Sequence, residues 1–74
     1  MTFKAAYNYM KNDGKDIKLP EWGGFWRWND EEKTIMIHLR DGNIIDIRET
    51  DNLDFTMNFI FREDWEVIGL ANVE

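Results

Sequence analysis

The chain of 74 residues has no cysteine, one histidine, and 15 acidic against 9 basic residues, which gives a formal net charge of −6. The length predicts a single domain over residues 1–74, which is small for a stable core. Because disulfides are excluded and a zinc site is disfavoured, we expect this domain to gain stability by self-association. The negative charge repels phosphate backbones and disfavours a nucleic-acid polymer as partner. Lys4 and Lys11 interrupt the N-terminal segment, which disfavours a signal peptide or a membrane span there.

A helix is predicted first, from Thr2 to Asn12. Its apolar residues recur at the spacing of one helical face, namely Phe3, Ala6, Tyr7 and Met10. Thr2 is a candidate N-cap, and Gly14 supplies the left-handed residue on which helices often end. Because a helix of this length is marginal alone, we expect its apolar face to pack on the rest of the domain.

Two short strands are predicted next. The first runs through Ile17 to Leu19 and ends at the proline that follows. The chain then breaks at Gly23-Gly24 and resumes as a second strand from Phe25 to Trp28, which places Trp26 and Trp28 on the same side of the pleat.

A β-hairpin is predicted after the charged turn at residues 29–33, around the turn signal Asp41-Gly42. A two-residue loop would set Ile37 opposite Asp46 and bring a carboxylate onto the apolar side. A three-residue loop with Gly42 in a left-handed bulge position instead pairs position 37 with 45 and position 35 with 47, so that four isoleucines share one face. We favour the three-residue loop.

A second helix from about Asn52 to Phe61 and a strand around Trp65 to Ile68 complete the prediction. Thr50 and Asp51 are capping candidates, and residues 69–74 are expected to fray. The apolar stripe of this helix consists of Leu53, Met57, Ile60 and Phe61. The predicted fold class is α+β, with a single small antiparallel sheet of about five strands, an N-terminal helix, and a short second helix before the last strand.

No arrangement of residues indicates catalysis. The chain has neither serine nor cysteine, so the usual nucleophilic triads lack their nucleophile. His38 lies in a strand on the polar face, where a half-exposed histidine is commoner than a catalytic base. Phosphate-binding glycine motifs are missing as well. We therefore expect no enzyme, no catalytic residue, no metal site and no cofactor.

Tryptophan is the residue type that points to a binding site. Other apolar residues already supply a core, so we expect at least one or two of the four tryptophans at a subunit interface or in a pocket, although each ring alone fits a core position equally well. Gly23 and Gly24 can admit a ligand close to the backbone. Lys18, Arg27 and Arg48 are candidate cations, for which solvated surface charge is the commoner role. The candidate ligand-binding residues are Lys18, Trp22, Gly23, Gly24, Trp26, Trp28, Arg48 and Trp65.

Short motifs along nearly the whole chain match one family pattern in order. They are Phe3 and Ala6 at the start, "GKDI" from Gly14 to Ile17, Trp22, and "EDWEVI" from Glu63 to Ile68. On these residues the chain resembles a family of small phage and prophage proteins, the second family of Thoeris anti-defence proteins.

The resemblance implies a function. Members of that family are non-enzymatic sponges that bind and sequester cyclic ADP-ribose isomers made by TIR-domain enzymes, or cyclic oligonucleotides, in pockets between the protomers of a homotetramer. It further implies residence in the cytoplasm of the bacterial host cell, with other copies of the chain and a small cyclic nucleotide as partners. Only Trp22 and Trp65 map onto the family's own tryptophans. Leu19, Phe59 and Arg62 depart from the pattern, standing where it has arginine, aspartate and alanine.

Two other functions fit the same residues. A phage-encoded oligomer can dock on a host protein through an acidic face studded with aromatic rings, because tryptophan is a frequent hot-spot residue. The other function is that of a small metal-independent hydrolase of the immune signal.

Overall fold

A computed structural model of the chain describes residues 1–50 and 53–69. Its elements in chain order are α1 (Phe3–Asp13), β1 (Asp16–Lys18), β2 (Phe25–Asn29), β3 (Thr34–His38), β4 (Ile44–Asp46), a 3₁₀ turn (Ile47–Glu49), α2 (Leu53–Ile60) and β5 (Glu66–Ile68). The strands form one antiparallel sheet in the order β4-β3-β2-β1-β5. The predicted α+β fold class is confirmed. The predicted cap Asp51, the predicted helix start at Asn52 and most of the predicted frayed end, residues 70–74, lie outside the described residues.

Helix α1 has the caps and the packed face that the sequence predicts. The Thr2 hydroxyl accepts a hydrogen bond from the backbone N–H of Ala5, and Gly14 ends the helix with a φ of 68°. Ala6 and Met10 are fully buried, and the helix packs on β1, β2 and β5. Its amphipathic face is therefore the surface that covers this part of the sheet.

One row of side chains crosses the sheet on the core side. Ile17 of β1 lies between Val67 of β5 and Trp26 of β2, and the row continues through Ile37 to Ile45. Trp26 is only 3% exposed. Because opposed residues of an antiparallel pair share a face, this register puts the predicted apolar positions of all five strands into one layer.

The β3–β4 hairpin has the predicted three-residue loop. Ile37 pairs with Ile45, and the backbone N–H of Leu39 donates to the carbonyl of Asn43 over 2.8 Å. Gly42 has a φ of 97°, as a left-handed bulge position requires. The argument that kept a carboxylate off the apolar face therefore identified the register correctly.

The predicted pairing of Ile35 with Ile47 is wrong, because β4 ends one residue earlier, at Asp46. The carboxylate of Asp46 accepts a hydrogen bond from the backbone N–H of Arg48 over 2.8 Å, and this cap starts the 3₁₀ turn. Ile47 still packs against the core, but from the turn and not from a strand.

Asp46 is a buried carboxylate with several partners. It accepts hydrogen bonds from the Arg48 guanidinium at 2.7 Å and from the Thr34 hydroxyl at 3.0 Å. The Arg48 side chain, followed by the Arg48 backbone N–H, lowers the pKa of Asp46 from its usual 3.8 to about 2. The charged form is thus the one that the fold stabilises.

Helix α2 turns a different face to the sheet from the predicted stripe. Met57 and Phe61 are exposed, Phe61 at 74%, whereas Thr56 is buried and Phe59 packs against the core. The stripe prediction is therefore wrong for these two residues. The reason is tertiary, since the rings and hydrogen bond that hold Phe59 determine how the helix is rotated.

We predict that acid removes the stabilisation that Asp46 provides. Its pKa is lower in the folded than in the unfolded chain, so the contribution is fully present above about pH 4 and is lost as the pH falls toward about 2. Asp46→Asn should lower the Tm at pH 7, and its difference from the wild type should shrink below pH 4. Thermal unfolding followed by circular dichroism measures both. The exposed Glu63→Gln is the control, and a Tm difference for Asp46→Asn that is constant from pH 7 to pH 2 would contradict the prediction.

Candidate functional site

Aromatic rings gather where the loop after β1, the end of α2 and the start of β5 meet. The centroid of Trp22 lies 5.4 Å from that of Trp26 and 5.3 Å from that of Trp65, and the last two are 5.1 Å apart. Phe59 of α2 meets Trp22 edge-on at 5.1 Å. The indole N–H of Trp65 donates to the Phe59 carbonyl over 3.0 Å. We call these four residues the aromatic cluster, and it joins α2 to the sheet.

A cleft of about 850 Å³ opens beside the aromatic cluster. It is lined by the loop Glu21–Gly24 and Trp26, and by Phe55, Thr56 and Phe59 of α2. Ile37 and Ile45 contribute apolar surface from β3 and β4. The volume falls within the range typical of small-molecule sites, and such sites are likewise mostly apolar with a few polar groups.

The two glycines of the loop are required by packing within the chain. A Cβ atom on Gly24 would lie 2.1 Å from the His38 carbonyl oxygen, and one on Gly23 would lie 2.9 Å from Cβ of Arg40. The loop therefore rests directly on the end of β3. The close backbone approach that the sequence assigned to a ligand is made here by β3 of the same chain.

Four of the eight predicted ligand-binding residues line the cleft, namely Trp22, Gly23, Gly24 and Trp26. Trp65 lies in the core and is 2% exposed. Trp28 lies outside the cleft, with its ring edge-on to Tyr7 at 5.9 Å and the ammonium of Lys11 at 5.5 Å from its centroid. Its indole N–H makes no hydrogen bond of normal geometry within the described residues.

The predicted cations are paired with carboxylates and do not line the cleft. Lys18 lies 3.5 Å from Glu66. The guanidinium of Arg48 binds Asp46 and reaches Glu32 at 3.5 Å. Arg27, the third candidate, donates two hydrogen bonds to Asp16, at 2.9 and 3.0 Å.

Sequence reasoning missed the part of the cleft that comes from α2 and from the end of β3. Phe55 and Phe59 supply aromatic surface from the helix, and Arg40 supplies the positive charge. The one available signal was the position of Arg40 just before the Asp41-Gly42 turn, at a strand end. Nothing in the sequence indicated that α2 would lie opposite that strand end.

An ion-pair network links the loop side of the cleft to the chain beyond α2. The guanidinium of Arg62 donates to both Glu21 and Asp64. These contacts raise the pKa of Arg62 and lower the pKa values of the two carboxyls. The groups are largely solvent-exposed, so the network orients the loop more than it stabilises the fold.

The single histidine of the chain lies at the cleft. His38 lines it, but its ring stacks on Phe25 at 4.6 Å and makes no hydrogen bond to a carboxylate within residues 1–50 and 53–69. In the same two segments no three acidic or histidine side chains converge as a metal-ligand group. The helices described there are also too short or too polar to cross a bilayer.

Comparison with known proteins yields no relative of this chain: no protein-family model, no curated protein and no solved structure matches it.

We predict that Gly24→Ala destabilises the fold more than Gly14→Ala does. The new methyl group would meet a backbone carbonyl that cannot rotate away, at an expected cost of about 2–3 kcal/mol. Gly14 has open space around it, so Gly14→Ala costs only the strain of an alanine in left-handed backbone, about 1 kcal/mol. Urea denaturation gives both values, and equal costs would show that the loop does not rest on β3 as described.

Proposed function

We propose that this protein is a non-enzymatic phage or prophage anti-defence sponge, which binds and sequesters a cyclic nucleotide immune signal. The ligand is a cyclic ADP-ribose isomer made by TIR-domain enzymes, or a cyclic oligonucleotide. The observation that carries the proposal is the cleft of about 850 Å³, which is lined by aromatic rings from the loop after β1, from β2 and from α2. The motif resemblance supplies the class of ligand.

The aromatic sides of the cleft suit a nucleobase. Trp22 on the loop and Phe55 on α2 both line it, and Phe55 is 58% exposed, so its ring has surface to offer a ligand. Stacking of a base on one such ring contributes about 1–3 kcal/mol. Sequestration at nanomolar concentrations requires about 12 kcal/mol, so a sponge needs several stacking and polar contacts together.

The residue types of the chain favour sequestration over cleavage. The chain has no serine or cysteine, and the His38 ring stacks on a phenyl ring and not beside a carboxylate. A hydrolase of the signal would need a positioned base or nucleophile. Binding without turnover therefore accounts best for this residue set.

Self-association into a homotetramer in the bacterial cytoplasm is part of the proposal. Phe61 and Met57 expose apolar surface next to the helix side of the cleft. Exposed aromatic groups on a domain this small are typical of a surface that another protein chain covers. An interface there would lie close to the cleft, in keeping with pockets between protomers.

We predict that the protein binds cyclic ADP-ribose isomers or cyclic dinucleotides and releases them intact. Phe55→Ala should weaken binding by about 1–3 kcal/mol, because it removes one stacking surface. Isothermal titration calorimetry measures the affinity, and chromatography of ligand recovered after heat denaturation tests its integrity.

The matched control for Phe55→Ala is Ile68→Ala, which trims an exposed apolar residue on β5 that does not line the cleft. Its effect should stay within about 0.5 kcal/mol. No binding heat from any of these ligands would contradict the sponge proposal. Recovery of a cleaved ligand would instead identify a hydrolase.

We predict that Phe61→Glu dissociates the oligomer. A charge at the most exposed phenyl ring should raise the dissociation constant at least about tenfold if that ring is covered by another copy. Sedimentation velocity over a concentration series gives the result. Asn8→Glu adds the same charge on the exposed side of α1 and should change nothing. A wild-type protein that stays monomeric at high concentration would overturn this part of the proposal.

The exposed phenyl rings also favour a second function, a phage-encoded oligomeric module that docks on a host protein. Affinity purification from host cells distinguishes the two. A host protein recovered in stoichiometric amount with the wild type and lost with Phe61→Glu would favour docking, especially if no nucleotide binds.

A further inference from the structure

The arginines of the described chain differ in how their charge is used. Arg27, Arg48 and Arg62 each donate hydrogen bonds to one or two carboxylates. Arg40 makes no ion pair and no side-chain hydrogen bond with any residue in 1–50 or 53–69. It is also the one arginine or lysine of those residues that lines the cleft.

The stem of Arg40 lies beside the loop of the cleft. A Cβ atom on Gly23 would lie 2.9 Å from Cβ, 3.0 Å from Cδ and 3.5 Å from Cγ of Arg40. The missing side chain of Gly23 therefore leaves room in which the methylene groups of Arg40 pack. The stem thus lies next to the residue that follows Trp22, and both Trp22 and Arg40 line the cleft.

The acidic residues around the cleft compete with an anion to different degrees. Glu21 is bound by Arg62, and the carboxylate of Asp41 accepts hydrogen bonds from the backbone and side chain of Asn43. Glu49 has no ion pair within the described residues. Among residues 1–50 and 53–69, the charged groups of the cleft that make neither an ion pair nor a side-chain hydrogen bond are thus Arg40 and Glu49.

From this arrangement we infer that Arg40 is the anion anchor of the cleft and binds the phosphate or pyrophosphate group of a ligand whose ring stacks on the aromatic side. The ligand's identity rests on the proposed function, but the anchor itself does not. A free guanidinium offers two parallel N–H donors that match phosphate oxygens. Glu49 opposes the anion and sets a limit on its affinity.

Inorganic pyrophosphate tests the anchor without any nucleotide. In a titration followed by NMR, the Nε–H signal of Arg40 and the backbone amides of residues 22–24 should shift together and saturate. Arg40→Gln keeps the three stem carbons that pack on Gly23 but removes the charge, and it should weaken binding about 10- to 100-fold. Glu49→Gln should strengthen binding. Lys4→Gln, an equal charge change on an exposed face of α1, should leave it nearly unaltered.

Shifts spread over the surface without saturation, or equal losses in Arg40→Gln and Lys4→Gln, would overturn the inference. The same variants titrated with cyclic ADP-ribose and with adenosine separate it from the proposed function. Nucleotide binding that ignores Arg40 leaves the sponge standing and removes the anchor. Pyrophosphate binding at Arg40 with no nucleotide binding supports the anchor and contradicts the sponge.

Discussion

Three indole rings touch one another at the centre of this protein, and the carbonyl of a helix residue is hydrogen-bonded to one of them. Trp22, Trp26 and Trp65 come from the loop after β1, from β2 and from the start of β5, with centroids 5.1 to 5.4 Å apart. Phe59 adds the helix through its ring and through the bond from the Trp65 indole. Aromatic pairs of this kind contribute about 0.5–1.5 kcal/mol each beyond the area they bury. In a small domain without disulfides, that contribution ties three separate segments together.

The cleft is a consequence of the same contacts. Because α2 is held at Phe59, near its C-terminal end, Phe55 and Thr56 one turn earlier also line the cleft, together with residues of β3 and β4. The Gly23-Gly24 loop closes another side by lying on β3. The residues that stabilise the fold and those that shape the cleft are thus partly the same, and Trp22 serves both.

The basic side chains of the molecule differ in whether a carboxylate binds them. Most of the basic groups that the sequence offers for an anionic ligand are taken up by nearby carboxylates, as expected in a chain with an excess of acid. The pairs of Lys18 and Arg27 contribute little to stability, whereas Asp46 is buried and its bonds to Arg48 stabilise the fold. The effect of these ion pairs is to leave Arg40 as the cation available in the cleft, so a negatively charged protein can still hold one local positive site.

Local pattern alone determined most of the architecture of this protein. The face and caps of α1, the strands, and the hairpin register follow from side-chain periodicity, glycine conformation and the cost of placing a carboxylate in an apolar layer, all of which act between residues close in sequence. The rotation of α2 and the pairing of Lys18 with Glu66 were decided by tertiary structure. Each depends on contacts that form only after folding, such as the Trp65–Phe59 hydrogen bond. The cleft belongs to this second group, because it lies between segments whose meeting no local pattern records.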